Sequence, residues 1–360
     1  MPGVHGYKFL LGKDQIITSH IRAHVNGNLG ILVLDRPAKI NALNYSMLLE
    51  LCEQFAVWKD DPSISMVLLR GNGDRGFCAG GDIKDFHSAV TNDAHQDFAV
   101  LLSLEFELDA MIASYPKPVI TLAHGLCMGG GIGLASHASV RIATPDSSYA
   151  MPEVRIGYTP DVGGTHLMAL APGFMGEYLV LTAATFSGVD AVELGFADML
   201  VEAEKFDDII EALPDFESMD SAAIAAGLEV LLGTFASSPL MASQPWIDHA
   251  FSAATLGEIL ERLDHMSHSA AAQAAAAMRA NCPTSMESAL QSVRAARAED
   301  HLQSALDREL RLAKYLMYRS DLAEGIRAQV IDKDRNPQWN PSTIERVDVA
   351  AILAVVAEPN

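Results

Sequence analysis

Residues 124–164 read HGLCMGGGIGLASHASVRIATPDSSYAMPEVRIGYTPDVGG. Glycine clusters at Gly129-Gly130-Gly131 and Gly163-Gly164 bracket a strand-like run and two carboxylates, Glu153 and Asp161. A further glycine turn lies upstream, in the GFCAGGDI of Gly76 to Ile83. A strand that turns through glycine into a helix aims unpaired N–H groups at one spot. Two such turns, at Gly80-Gly81 and at Gly129 to Gly131, could hold one carbonyl oxygen as it gains negative charge. They could equally cradle a phosphate, or serve only close packing. On the first reading, Glu153 and Asp161 do the proton or nucleophile work beside that oxygen. A P-loop is excluded because GxxxxGK[ST] does not occur, and GGGIG is a poor dinucleotide fingerprint.

Outward from that stretch, strand, glycine turn and helix recur three times between residues 30 and 170. The pattern predicts an α/β core whose turns gather on one side. Ser19–Val25 and Leu29–Asp35 read as a hairpin around Asn26-Gly27. Asn41–Lys59 has helical spacing, and Met66–Leu69, Val119–Ala123 and Val140–Ala143 read as buried strands. Ala99–Ala113 reads as a helix, as do His166–Leu170 and Tyr178–Ala183, the last capped by Ser187-Gly188. Residues 206–241 are weakly patterned. From Trp246 to Arg319 the chain reads as helical, through Phe251–Leu263, Ala270–Arg279 and a long stretch from Ser285, with an irregular tail and a short final helix. The expected organisation is a core over 1–205, a boundary region over 206–245 and a helical C-terminal region over 246–360.

The 360 residues carry 49% hydrophobic and 20% charged side chains, enough for a large buried core. A net charge of −21 with no basic patch argues against nucleic acid as a partner. No apolar run reaches the length of a membrane span. Cys52, Cys78, Cys127 and Cys282 are widely spaced and form no CxxC pair, so no zinc site or disulfide framework is expected. The opening MPGVHGYKFLLGKDQ has neither a secretory nor a transit pattern, and the expected location is cytoplasmic. Asp332-Lys333-Asp334 lacks the glycine and glutamate of a calcium loop, so no metal is expected there.

Five segments, in this order, resemble the enoyl-CoA hydratase/isomerase (crotonase) superfamily: DRPAKINALN (35–44), GFCAGGDI (76–83), KPVITLAHGLCMGGGIGL (117–134), YAMPEVRIGYTPDVGG (149–164) and SGVDAVELGFADMLV (187–201). The resemblance implies a crotonase-like ββα spiral core with a helical C-terminal region. It implies an acyl-CoA thioester ligand, whose carbonyl would take hydrogen bonds from the N–H groups of Gly81 and Gly130. It puts the nucleotide end of CoA near Ala38, Lys39 and Ile40. No cofactor is implied beyond the CoA of the substrate. Homo-oligomers stay open, since crotonases often trimerise through C-terminal helices and this tail is longer than usual.

Typical hydratases of that superfamily carry two glutamates, and the first of those positions here is Gly133, without a carboxyl group. Glu105, Glu153 and Asp161 together resemble the 3-hydroxyisobutyryl-CoA hydrolase subfamily. So do PTSMESALQ (283–291) and LAEGIRAQVIDKDRNPQW (322–339). That resemblance implies thioester hydrolysis in valine breakdown. Glu153 would attack the carbonyl or deprotonate a water, with Asp161 and Glu105 near the acyl group. The residues taken alone leave other readings open. Asp161 after Pro160 could cap a helix. Glu105, beside Glu107 and Asp109, could belong to an acidic surface. His124 and the small cysteines Cys78 and Cys127 read as packed side chains. A 3,2-trans-enoyl-CoA isomerase or enoyl-CoA hydratase is the rival within the superfamily, and a non-catalytic CoA- or RNA-binding relative is the rival outside catalysis.

Overall fold

A computed structural model describes residues 19–358 apart from 217, 218, 234 and 236, so the N-terminal stretch read above lies outside the described residues. Among the described residues nine strands form two sheets. β1 (Ile21–Asn26), β2 (Leu29–Leu34), β3 (Met66–Gly71), β4 (Val119–Ala123), β6 (Val140–Ala143) and β9 (Met199–Leu200) make a six-stranded sheet in the order 1-2-3-4-6-9. Only the β1–β2 pair in it is antiparallel. β5 (Leu126–Met128), β7 (Ser148–Ala150) and β8 (Phe186–Ser187) make a small second sheet. The alternation of side chains gives the large sheet two apolar faces. Leu32, Leu34, Val67 and Leu69 enter the main core, whereas Ile31, Val33, Met66, Leu68, Ile120 and Leu122 point the other way.

Helices α1 (Tyr45–Asp60), α2 (Ile83–Thr91), α3 (His95–Ala113), α4 (Gly130–Ser136), α5 (Gly164–Leu170), α6 (Met175–Thr182) and α7 (Gly188–Glu193) fill the connections. The weakly patterned stretch holds α8 (Phe206–Ala212) and α9 (Ser221–Leu228), whose Phe206, Ile209, Ile224 and Leu228 cover the second face of the sheet. Next come α10 (Gln244–Phe251), α11 (Leu256–Asp264), α12 (Ser269–Ala280), α13 (Pro283–Glu299), α14 (Leu302–Met317), α15 (Ser320–Ile326) and α16 (Val349–Ala357). A π-helical turn, Arg327–Ile331, continues α15.

Three local expectations shift, each for a physical reason. Asn26 pairs with Leu29, so the hairpin turn is Gly27-Asn28, with Gly27 at φ +60°. Ala183 at φ +51° ends α6, and Ser187 instead starts α7 through a reciprocal cap with Asp190. The helix expected over Phe251–Leu263 is two helices, because Thr255 and Glu258 form a capping box that begins a new one.

Candidate active site

The glycine turns expected to act together meet backbone to backbone. A Cβ on Gly80 would stand 2.8 Å from Met128 O and 3.3 Å from Gly130 N, and one on Gly131 would run into Cys78 O. Cys78 N donates to Leu126 O at 3.1 Å and Met128 N to Cys78 O at 3.0 Å, which locks the register of the two turns. Asn41, fully buried and at φ +53°, anchors the upstream turn: its Nδ2 donates to Asn72 O, Gly76 O and Phe77 O at 3.0–3.2 Å. Asp82 N and Gly129 N are spent on Leu43 O and Ala150 O. The N–H groups between them, on Gly81 and Gly130, have no protein acceptor among the described residues. Both glycines line one pocket, together with Glu105, Glu153 and Asp161. The two turns can therefore offer two donors to one oxygen.

Glu153 opens a 3₁₀ turn, Glu153–Ile156, that Gly157 closes at φ +75°. A Cβ on Gly157 would strike Asp321 O, so only glycine admits α15 against this turn. Glu153 is 7% exposed, and its Oε2 has no hydrogen-bond partner among the described residues. Burial, then the neighbouring Glu309 and Glu105, push its carboxyl up to about 8. Burial pushes Glu105 up as well. Asp161 is raised by burial and by Glu105, Glu153 and Glu309, while the adjacent Tyr158 hydroxyl pulls the other way. Such a group shares protons and titrates as a set.

Two readings of the acidic residues need correction. Glu105 and Asp109 are not surface groups: they are 3% and 0% exposed, one helical turn apart on α3, while Glu107 faces solvent. Asp161 does not cap α5 with its side chain. Glu309, arriving from α14, accepts from Gly163 N at 2.7 Å and Thr165 N at 2.9 Å. Asp109, Glu309, Tyr158 and Gln329 escaped the sequence reading. For Asp109 a signal existed, since the i, i+4 spacing from Glu105 puts both on one face of a helix. Of the remaining candidates, Ala38 and Lys39 are exposed and, with Ile40, lie beside the pocket rather than in its wall; Ile40 O accepts from the N–H of Ala79, which does line it. Cys78 and Cys127 are fully buried with thiols raised by burial, and His124 bonds Gly73 O, so none resembles an activated nucleophile or base.

Residues 29–356 match the sequence pattern of the enoyl-CoA hydratase/isomerase family. This chain belongs to that family. Curated relatives include the mitochondrial 3-hydroxyisobutyryl-CoA hydrolase of Danio rerio, 34% identical over 331 residues, covering 89% of this chain and 85% of that protein. The Homo sapiens protein of the same name is 34% identical over 327 residues, covering 89% and 84%. A crystal structure described as a carnitinyl-CoA dehydratase from Mycobacterium thermoresistibile superposes with a TM-score of 0.88 at 36% identity, covering 95% of this chain and 98% of that one. The crotonase-like α/β fold with its helical C-terminal region is thus the fold of this family member. Both named relatives are mitochondrial, and the expectation of a cytoplasmic location has no support from them. No helix among the described residues is long and apolar enough to cross a membrane.

The carboxylate cluster also has a stability consequence. Asp109 has no partner for either oxygen among the described residues, and burial, Glu105, Asp161 and Glu309 hold its carboxyl well above the ordinary range. The folded state therefore keeps this proton after the unfolded chain has lost it, and stability falls as pH rises above the unfolded value of 3.8. Asp109→Asn is expected to melt higher than the wild type at pH 8, with the gap closing toward pH 4. Parallel melting curves of the two proteins would refute this.

Proposed function

We propose that this protein hydrolyses a short-chain 3-hydroxyacyl-CoA thioester, 3-hydroxyisobutyryl-CoA foremost, to the free acid and CoA, as in valine catabolism. The observation that carries the reading is the meeting of the Gly81 and Gly130 turns in one pocket with Glu153. The thioester oxygen receives the two N–H groups as its carbon becomes tetrahedral. Ionised Glu153 either attacks that carbon, giving a mixed anhydride that water then opens, or takes a proton from the attacking water. Both routes break the C–S bond, add the elements of water and leave CoA as a thiol. CoA arrives as part of the substrate, and no further cofactor enters the reaction. The names of the curated relatives support the same substrate.

Hydration of an enoyl-CoA is the second reading, favoured by the name of the structural relative. It requires a second glutamate at position 133. A Cβ there would stand 2.6 Å from Asp109 Oδ1 and 2.8 Å from Val162 Cβ, so the space is already taken. Incubation of the purified protein with 3-hydroxyisobutyryl-CoA and a thiol reagent is expected to show free CoA, while crotonyl-CoA keeps its enoyl absorbance. Loss of the enoyl band without thiol release would replace this proposal with the hydratase. Cytoplasmic residence remains part of the proposal for this chain, to be read by fractionation of the source cells.

A further inference from the structure

The tail motif LAEGIRAQVIDKDRNPQW has no role in the chemistry above, yet it reaches the pocket. Gln329 lines the same cleft as Gly81, Gly130, Glu105, Glu153 and Asp161. It sits on the π-helical turn Arg327–Ile331, a rare geometry that often marks functional positions. That turn is held from both ends. Arg327 makes a bidentate pair with Glu324 at 2.8 and 2.9 Å, and its Nη1 also donates to Asp332 and Asp334 at 2.7 Å. Asp332 N donates back to Arg327 O at 2.8 Å, and Arg335 N to Ala328 O at 3.1 Å. Underneath, Gly325 touches the backbone of Ile156, in the turn that begins with Glu153; a side chain at Gly325 would collide with it. Asp332 and Asp334 of the tail thus hold the Arg327 guanidinium, two residues before Gln329 on the same turn.

We propose that Gln329 is a specificity-determining residue that hydrogen-bonds the 3-hydroxyl of the acyl group. This rests on the hydrolase reading and adds the group by which the substrate is selected. A hydroxyl needs an acceptor for its proton and a donor for its oxygen. The carboxylates around the cleft supply acceptors. Among the described residues Gln329 is the one residue of the tail that lines the cleft, and its carboxamide can supply an N–H donor there. A site that hydrogen-bonds a substrate hydroxyl discriminates against the analogue that lacks it.

The test compares 3-hydroxyisobutyryl-CoA with isobutyryl-CoA, the same thioester without the hydroxyl, in wild type and Gln329→Leu. The variant is expected to lose about 10-fold in kcat/KM for the hydroxylated substrate and to keep its rate on the other, so that the ratio collapses. An equal fall on both substrates would assign Gln329 to the shared CoA portion or to packing and overturn the inference, as would an unchanged ratio. Wild-type protein that releases no CoA from the hydroxylated thioester would overturn the hydrolase reading itself.

Discussion

Glu153→Gln is expected to lower CoA release at least 10³-fold, roughly the contribution of a positioned acid–base or nucleophilic carboxylate, and to raise the melting temperature at pH 8. The two effects share one cause. Glu153 sits 7% exposed among Glu105, Asp161 and Glu309, and its carboxyl is pushed from 4.5 up to about 8. Ionising it, as the proposed reaction requires, works against burial and like charges. Since the folded value lies above the unfolded one, the stability it contributes is complete below pH 4.5 and is lost as pH rises toward 8. Glutamine keeps the shape and cannot ionise, so its advantage in stability should appear above pH 4.5 and grow toward pH 8. A well-folded variant that still releases CoA would remove Glu153 from the mechanism. A variant less stable than wild type at pH 8 would remove the electrostatic account.

Gly130→Ala is expected to cost about 10²-fold in kcat/KM while leaving the protein folded. The new methyl would run into Glu105 Oε1 and approach Leu43 Cδ1 to 3.2 Å. Glu105 is the end of a side chain and can yield, whereas the backbone of the turn is fixed on both sides by the Cys78–Leu126 and Met128–Cys78 hydrogen bonds. The substitution therefore displaces a pocket carboxylate beside the reacting carbonyl, and a shift of about 1 Å there is enough for that loss. Steady-state rates with a thermal melt decide the matter. Full activity would mean that Glu105 has no fixed place in the reaction, and a collapse of the melt would mean that the turn, not the side chain, gives way.

Much of the site was legible because it is written in local backbone chemistry. Gly80 and Gly129 take positive φ, and Gly157 is forced by the approach of Asp321; each requirement selects glycine at a fixed place in a short motif. The absence of a carboxyl at Gly133 was equally plain. The first hairpin and the strands at Met66–Leu69, Val119–Ala123 and Val140–Ala143 followed from alternation and turn residues, whereas their order in the sheet came from the structure. Asp109 was misjudged because its partner in burial, Gly133, is on a different element and has no side chain of its own to suggest a contact. Glu309 lies far from Gly163 and Thr165 in the chain, so its role as their cap depended on where α14 came to rest.

By itself, then, the sequence determined that two glycine bends and the carboxylates Glu153 and Asp161 lie in a βα-repeating chain, since turn conformation and period are properties of neighbours along the backbone. Tertiary structure alone decided that both bends open into one cleft, that Glu105, Glu153 and Asp161 crowd it, and that the tail returns to put Gln329 in its wall. Those outcomes depend on which surfaces exclude water from one another, and that is set by packing between residues hundreds of positions apart.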